Sequence, residues 1–181
     1  MVKEDFVKIS TRKLVITALG LALAIVLPFL TGQIPQIGSM LLPMHIPVLL
    51  IGFICGWPYG LILGLISAPL RSLIFTMPPI FPVALAMAFE MAAYGAIAGF
   101  LYRKLPKNTL NVYISLIASM IGGRIVWAIA SYVIFAAAGN SFTFQLFLAG
   151  AFVNALPGIV LQIVLIPVLV LALRKANIIK E

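Results

Sequence analysis

"RKLVITALGLALAIVLPFL", residues 12–30, sets two cations before seventeen residues that carry no charge. A helix needs about 20 mostly apolar residues to cross the hydrocarbon of a bilayer. The run from 14 to 30 meets that need almost alone, and the rest of the chain repeats its pattern. Of the 181 residues, 64% are hydrophobic and 9% charged, and mean hydropathy is +1.22. A water-soluble domain carries about a quarter charged residues to solvate its surface, so the main solvent of this chain is lipid. The basic lead resembles a signal peptide, yet no cleavage site follows and apolar spans continue. The expectation is an all-α, polytopic membrane protein that forms a single integral domain over 1–181.

Further spans fall at about 46–56, 59–76, 83–102, 110–138 and 145–173. Between them stand "GWPYG" (56–60), "MPPIFP" (77–82), "YRKLPKN" (102–108) and "AGNSFTF" (138–144), all turn-forming or basic. The second span is short. The stretch 31–46, "TGQIPQIGSMLLPMHI", is interrupted by Pro35 and Pro43 and reads as a long loop.

The net charge of +8 does not point to nucleic acid, because ten of the twelve basic residues form three clusters that flank spans. These are Lys3, Lys8, Arg12 and Lys13; Arg103, Lys104 and Lys107; and Arg174, Lys175 and Lys180. Lys and Arg in short loops stay cytoplasmic. Six spans with both termini inside put every cluster on the cytoplasmic side, whereas five or seven would strand one outside. The single cysteine, Cys55, excludes an intramolecular disulfide.

Arg71, Glu90 and Arg124 remain within spans. A charge at a helix centre costs about 2.5–3.5 kcal/mol even on lenient scales. At about 1.5 Å per residue, Arg71 lies roughly 7 Å, Glu90 about 10–12 Å and Asn154 about 13 Å below the outer ends of their spans. His45, the only histidine, opens span two from outside. One reading is a structural Arg71–Glu90 ion pair between spans three and four, with Arg124 on backbone carbonyls. The other starts from the excess of one positive charge in a low-dielectric region, which favours an anionic ligand entering from outside. Tyr94 is four residues from Glu90 and Trp127 three from Arg124, so each shares a helical face with its charge. Aromatic walls with a few polar groups suit a small-molecule pocket, and interhelical packing is the simpler role for both rings. His45 is then either a contact at the pocket's lid or an interfacial residue. No second histidine or acidic cluster accompanies it, which makes a metal site weak. In span one, Ala18 and Ala22 form one small-xxx-small pair and Gly20 and Ala24 a second, a spacing that lets helices approach closely in lipid.

A basic lead into an Ala-xxx-Ala first span, a long outer loop, six spans and cytoplasmic termini resemble the S components of energy-coupling factor (ECF) transporters. The stretches "LLPMHIPVLLIGFICGWPYG", "APLRSLIFTMPPIFPVALAMAFE" and "YGAIAGFLYRKLP" look like the broad group that includes pantothenate-type members. The resemblance covers essentially the whole chain. It implies a subunit of the prokaryotic plasma membrane that captures a vitamin from outside, without a cofactor. It implies two kinds of partner, a transmembrane coupling protein and two cytoplasmic ATPases, with ATP-driven toppling releasing the vitamin inside. Ala18 and Ala22 would meet the coupling protein. The substrate site would lie among the outer loops and outer helix halves, where His45, Arg71, Glu90, Tyr94, Arg124, Trp127 and Asn154 fall. The chain has no GxxxxGK[ST] phosphate loop, in keeping with ATPases on partner subunits. Pantothenate is the first expectation for the substrate; riboflavin, folate and a queuosine precursor stay open. So do a rod-shape-type membrane scaffold and a stand-alone secondary transporter. An intramembrane enzyme would need a nucleophile–base or metal-binding set that one histidine and one membrane carboxylate do not supply.

Overall fold

The computed structural model describes residues 10–31, 34–139, 143, 145 and 148–179, and among these the regular structure is helical throughout. In chain order the helices are α1 (Thr11–Val26), α2 (Pro35–Leu41), α3 (His45–Cys55), α4 (Trp57–Phe75), α5 (Leu85–Lys104), α6 (Thr109–Ala137) and α7 (Leu156–Lys175). Among the described residues, five segments are long and apolar enough to cross a membrane: α1 with its short extension to Thr31, α4, α5 with the preceding turn, α6 and α7.

Local chemistry explains the boundaries. Gly56, at φ +99°, turns α3 into α4, and Pro58 follows in the first turn of α4, where a missing N–H costs nothing. The side chain of Asn108 caps α6 by accepting from the Asn111 amide at 2.8 Å. Arg103 and Lys104 end α5, and Arg174 and Lys175 end α7, each pair set against the negative end of a helix dipole.

The amphipathicity is that of a membrane protein. On α6, Leu110, Ile114, Ile117, Ile121 and Ile125 form an exposed apolar stripe, while Asn111, Ser115, Ser119, Arg124 and Ser131 are buried. Apolar groups face lipid and polar groups face the bundle, the reverse of a helix in water.

Helix α3 sits at the centre, packed on α1, α4, α5 and α7, and eight of its eleven residues are buried. Its length of about 16 Å falls well short of the roughly 30 Å hydrocarbon core, so it is too short to span a membrane alone. Around it the helices touch backbone to backbone. A Cβ added at Gly95 would lie 2.4 Å from the carbonyl group of Gly60, one at Gly52 would lie 2.5 Å from the Gly95 oxygen, and one at Gly64 would lie 2.4 Å from the Ala92 nitrogen.

Both chain ends meet at one end of the bundle. Arg12 Nη2 donates to the Ile178 carbonyl at 3.4 Å, and Arg174 Nη1 donates to the carbonyl of Lys107. The Cys55 thiol donates to the Lys13 carbonyl at 3.7 Å. The described members of all three basic clusters therefore gather at this end. Lys3, Lys8 and Lys180 lie outside the described residues.

Two expectations are corrected. The stretch 31–46 is not simply a loop, because Pro35 starts α2 at a first-turn position, and Leu42 ends it with a left-handed φ of 50°. The last helix begins at Leu156, with Pro157 in its first turn, and a widened helical turn, Ala149–Val153, precedes it. Most of the 138–144 turn lies outside the described residues.

The glycine contacts yield a paired test. Alanine is normally favoured over glycine in a helix by about 0.5–1 kcal/mol. At Gly38, where the nearest atom to an added Cβ is 3.8 Å away, Gly38→Ala is expected to hold or raise the unfolding temperature. At Gly95 the added methyl meets unyielding backbone, and Gly95→Ala is expected to destabilise by about 1–3 kcal/mol or more. Thermal unfolding in detergent measures both, and an equal rise in the two variants would refute the close crossing.

Candidate functional site

At the end of the bundle away from the basic clusters, the start of α3 and the facing ends of α4, α5, α6 and the chain before α7 enclose a cavity of about 580 Å3. That volume suits a small molecule. Its polar lining includes His45, Arg71, Glu90, Arg124 and Asn154; Trp127, Met44, Met87 and the Met77–Pro79 turn supply apolar wall.

Glu90, on α5, is 2% exposed, and Arg124 Nη1 reaches across from α6 to its Oε1 at 2.7 Å. His45 Nε2 lies 3.6 Å from the other carboxylate oxygen, beyond hydrogen-bond range but close enough to feel its charge. The 2.7 Å contact between Arg124 and Glu90 is charge-assisted and among the stronger polar interactions a protein makes. Removing either partner of a buried pair costs about 3–5 kcal/mol, because the other charge is left uncompensated.

Arg71 has a different environment. Its guanidinium carbon lies 5.2 Å from the ring centres of both Phe29 and Phe75, which meet edge to face at 5.0 Å. Arg71 Nη1 also donates to the Ile25 carbonyl. Cation–π contacts of this kind contribute about 0.5–2 kcal/mol each and hold the cation without neutralising it. Glu90 is the sole carboxylate among the described residues and is taken by Arg124, so the cavity keeps one net positive charge, at Arg71.

The expected Arg71–Glu90 pair is therefore corrected: the partner of Glu90 is Arg124, with His45 beside it. Helix faces can be read from residue spacing, but which neighbouring helix a face meets cannot. His45 is wholly buried, with no lid position, and forms part of the cavity floor at the first residue of α3. Tyr94 is fully buried one layer deeper and does not line the cavity; its ring meets His45 edge-on at 5.1 Å. Its other face lies against Gly123, where an added Cβ would sit 2.2 Å from the ring. Trp127 does line the cavity and packs against Gly150, where an added Cβ would come within 2.8 Å of the indole. Asn154 is exposed on the same wall.

The sequence reading missed Phe29, Phe75 and Met87. Met87 had a signal, since it precedes Glu90 by three residues and shares its face. Phe75 had one too, four residues after Arg71 on α4; Phe29 had none, because it joins Arg71 from the extension of α1.

The two small-residue pairs of α1 part company. Gly20 and Ala24 are buried, and a Cβ at Gly20 would strike the Ile51 side chain at 2.5 Å. Ala18 and Ala22 point outward, among exposed Val15, Leu19 and Val26.

Neither a search of curated proteins nor one of solved structures gave a match. A family model described as "ECF transporter, substrate-specific component" matches residues 12–170, nearly the whole chain and all seven helices in whole or large part. This chain, with its helical bundle and charged internal cavity, belongs to the substrate-specific component family of ECF transporters, whose members bind a small-molecule substrate and work with an ECF module.

Proposed function

We propose that the chain captures a carboxylate-bearing vitamin, pantothenate first among the candidates, from outside the cell for ATP-driven uptake. The observation that carries this reading is the unneutralised Arg71 in a cavity whose other charges are paired. Net positive charge in a walled, largely apolar space favours an anion. The floor formed by Glu90, Arg124 and His45 offers further polar contacts, and Trp127 an aromatic wall. Riboflavin, folate and a queuosine precursor are the runners-up. Mass spectrometry of the molecule released on denaturing the purified protein tests the choice directly, and a cation as the released ligand would overturn it.

The arginines separate binding from folding. Arg71→Met is expected to weaken binding by about a hundred- to a few-thousandfold, the equivalent of losing a buried charged contact, with a smaller drop in unfolding temperature than Glu90→Gln, since contacts to Phe29, Phe75 and the Ile25 carbonyl are lost but no partner charge is stranded. Arg71→Lys is expected to recover only part, since lysine lacks the planar fork. Glu90→Gln is expected to lower stability markedly, by leaving Arg124 unpaired. Calorimetric titration of solubilised variants, with unfolding measured alongside, distinguishes these cases. Unchanged affinity in Arg71→Met would end the anionic-substrate reading.

In this proposal the partners are a transmembrane coupling protein and two cytoplasmic ATPases in a prokaryotic plasma membrane. The coupling protein meets α1 through Ala18 and Ala22, a role supported by their exposure. Replacing both with leucine is expected to abolish uptake in cells while substrate affinity of the isolated subunit changes less than about threefold, because a close helix contact cannot admit added side chains. Loss of affinity together with uptake would mean that the pair serves the fold.

The proposed topology counts α3, extended by the apolar end of the stretch before it, as one of six crossings and puts both termini in the cytoplasm. The meeting of Arg12 with Ile178 and the gathering of basic residues at one end support it. A reporter inserted after Lys107 is expected to be cytoplasmic, and a label in 31–46 accessible from outside. External labelling at 104–107 in intact cells would defeat this arrangement.

A further inference from the structure

The polar groups of the substrate cavity stand at two depths. Gly64 on α4 lies against the backbone of Met91 and Ala92 on α5, which puts the two helices on a common scale. Arg71 is seven residues, about 10 Å, along α4 from Gly64, and Glu90 is two residues, about 3 Å, along α5 from Ala92. Both steps run away from the basic end, so the backbone of Arg71 stands about 7 Å nearer the mouth. Phe75, one of the two rings that hold it, is the last residue of α4. Glu90, Arg124 and His45 lie below, on the floor.

The floor has hydrogen-bonding capacity that the described residues leave unused. A guanidinium carries five N–H groups in a planar fork. On Arg124, Nη1 faces Glu90, while Nε and Nη2 are buried without an acceptor in hydrogen-bond geometry among the described residues. The Tyr94 hydroxyl lies close to this guanidinium; it can take one N–H and leaves the rest of the fork open. Both nitrogens of His45, a wholly buried side chain, are likewise without a hydrogen-bond partner among the described residues. Buried polar groups are normally satisfied. Arg124 and His45 both line the cavity, so a bound molecule can supply what they lack.

Charge and donor count narrow the group that fits. Glu90 already meets the charge of Arg124. A second carboxylate on the floor would lie against the first, and like charges in a buried site oppose each other's ionised form. The group is therefore uncharged. Arg124 only donates, whereas a neutral imidazole has one donor and one acceptor nitrogen. A hydroxyl, which both donates and accepts, matches the pair; a carbonyl matches the donors alone. Building on the anionic-substrate reading above, we propose that the cavity selects a two-ended molecule, with a carboxylate at Arg71 near the mouth and a hydroxyl against Arg124 and His45 on the floor. A dicarboxylate brings its second charge against Glu90, and an anion without a hydroxyl leaves the floor unsatisfied. Arg71 sets the sign of the substrate, and the floor selects among molecules of that sign.

The test is calorimetric titration of the full chain in detergent with three probes. These are pantothenate, its dideoxy analogue with hydrogen in place of both hydroxyls, and pantothenol, which has an alcohol in place of the carboxylate. Pantothenate is expected to bind tightest. Loss of the hydroxyls should cost about ten- to a hundredfold, the range for hydrogen bonds to a charged group. Loss of the carboxylate should cost about a hundred- to a few-thousandfold. Arg124→Lys keeps a cation for Glu90 without the fork; it should weaken pantothenate by about tenfold or more and cost the dideoxy analogue far less. His45→Phe keeps a ring against Tyr94 and should show the same difference. A dideoxy analogue that binds as well as pantothenate would defeat the proposed role of the floor and leave the anionic reading standing. Pantothenol binding as well as pantothenate would overturn that reading and this proposal with it, as would binding of none of the three. Variants that weaken pantothenate and its dideoxy analogue alike would make Arg124 and His45 structural and overturn the proposal. The probe comparisons use the unmodified chain, so they decide the matter even where a variant fails to fold.

Discussion

Three helices of this bundle meet where none has a side chain. Gly52 on α3, Gly60 on α4 and Gly95 on α5 bring their backbones so close that a methyl group at any of them would overlap its neighbour. In lipid, where apolar surface gains little from burial against apolar surface, such close packing is a principal source of helix association. The contact also sets heights. His45 stands seven residues, about 10 Å, along α3 from Gly52, and Glu90 five residues, about 7 Å, along α5 from Gly95. Both lie toward the same end of the bundle, and the two side chains come within 3.6 Å. The floor of the cavity thus follows from a meeting of glycines deeper in the membrane.

The charges then sort themselves by reach. Arg124 approaches Glu90 from α6, the helix beside α5, and pairs with it at 2.7 Å. Arg71, on α4, is instead enclosed by rings from the extension of α1 and from its own helix. Phenylalanine can hold a cation in place without cancelling its charge, so the cavity keeps a positive potential that a carboxylate partner would have removed.

Much of this was legible in the sequence, and the limits are physical. Apolar runs ended by basic or turn residues gave α4, α5 and α6 to within two residues at either end. The internal charges marked the cavity region because lipid makes each of them expensive. Partner identity was not legible: Glu90 lies on a face that could meet Arg71 or Arg124, and only helix packing decides. Pro35 and Pro43 were read as breakers, yet Pro35 begins α2, since proline suits the first turn of a helix as well as a loop. That same reading left His45 either at a lid or at the interface, whereas it lies in the floor. Spacing likewise put Tyr94 on the face of Glu90 but could not tell that one turn deeper is already beneath the cavity.

The indole of Trp127 stands in the wall of the cavity against Gly150. The chain's other tryptophan, Trp57, begins α4 at the opposite end and is 39% exposed. The molecule therefore carries two natural fluorophores, one at the site and one remote from it. A guest beside Trp127 changes the polarity around that ring and shifts its emission, while Trp57 supplies a constant background. Occupancy can be followed optically on the unmodified chain, in real time and without a labelled substrate.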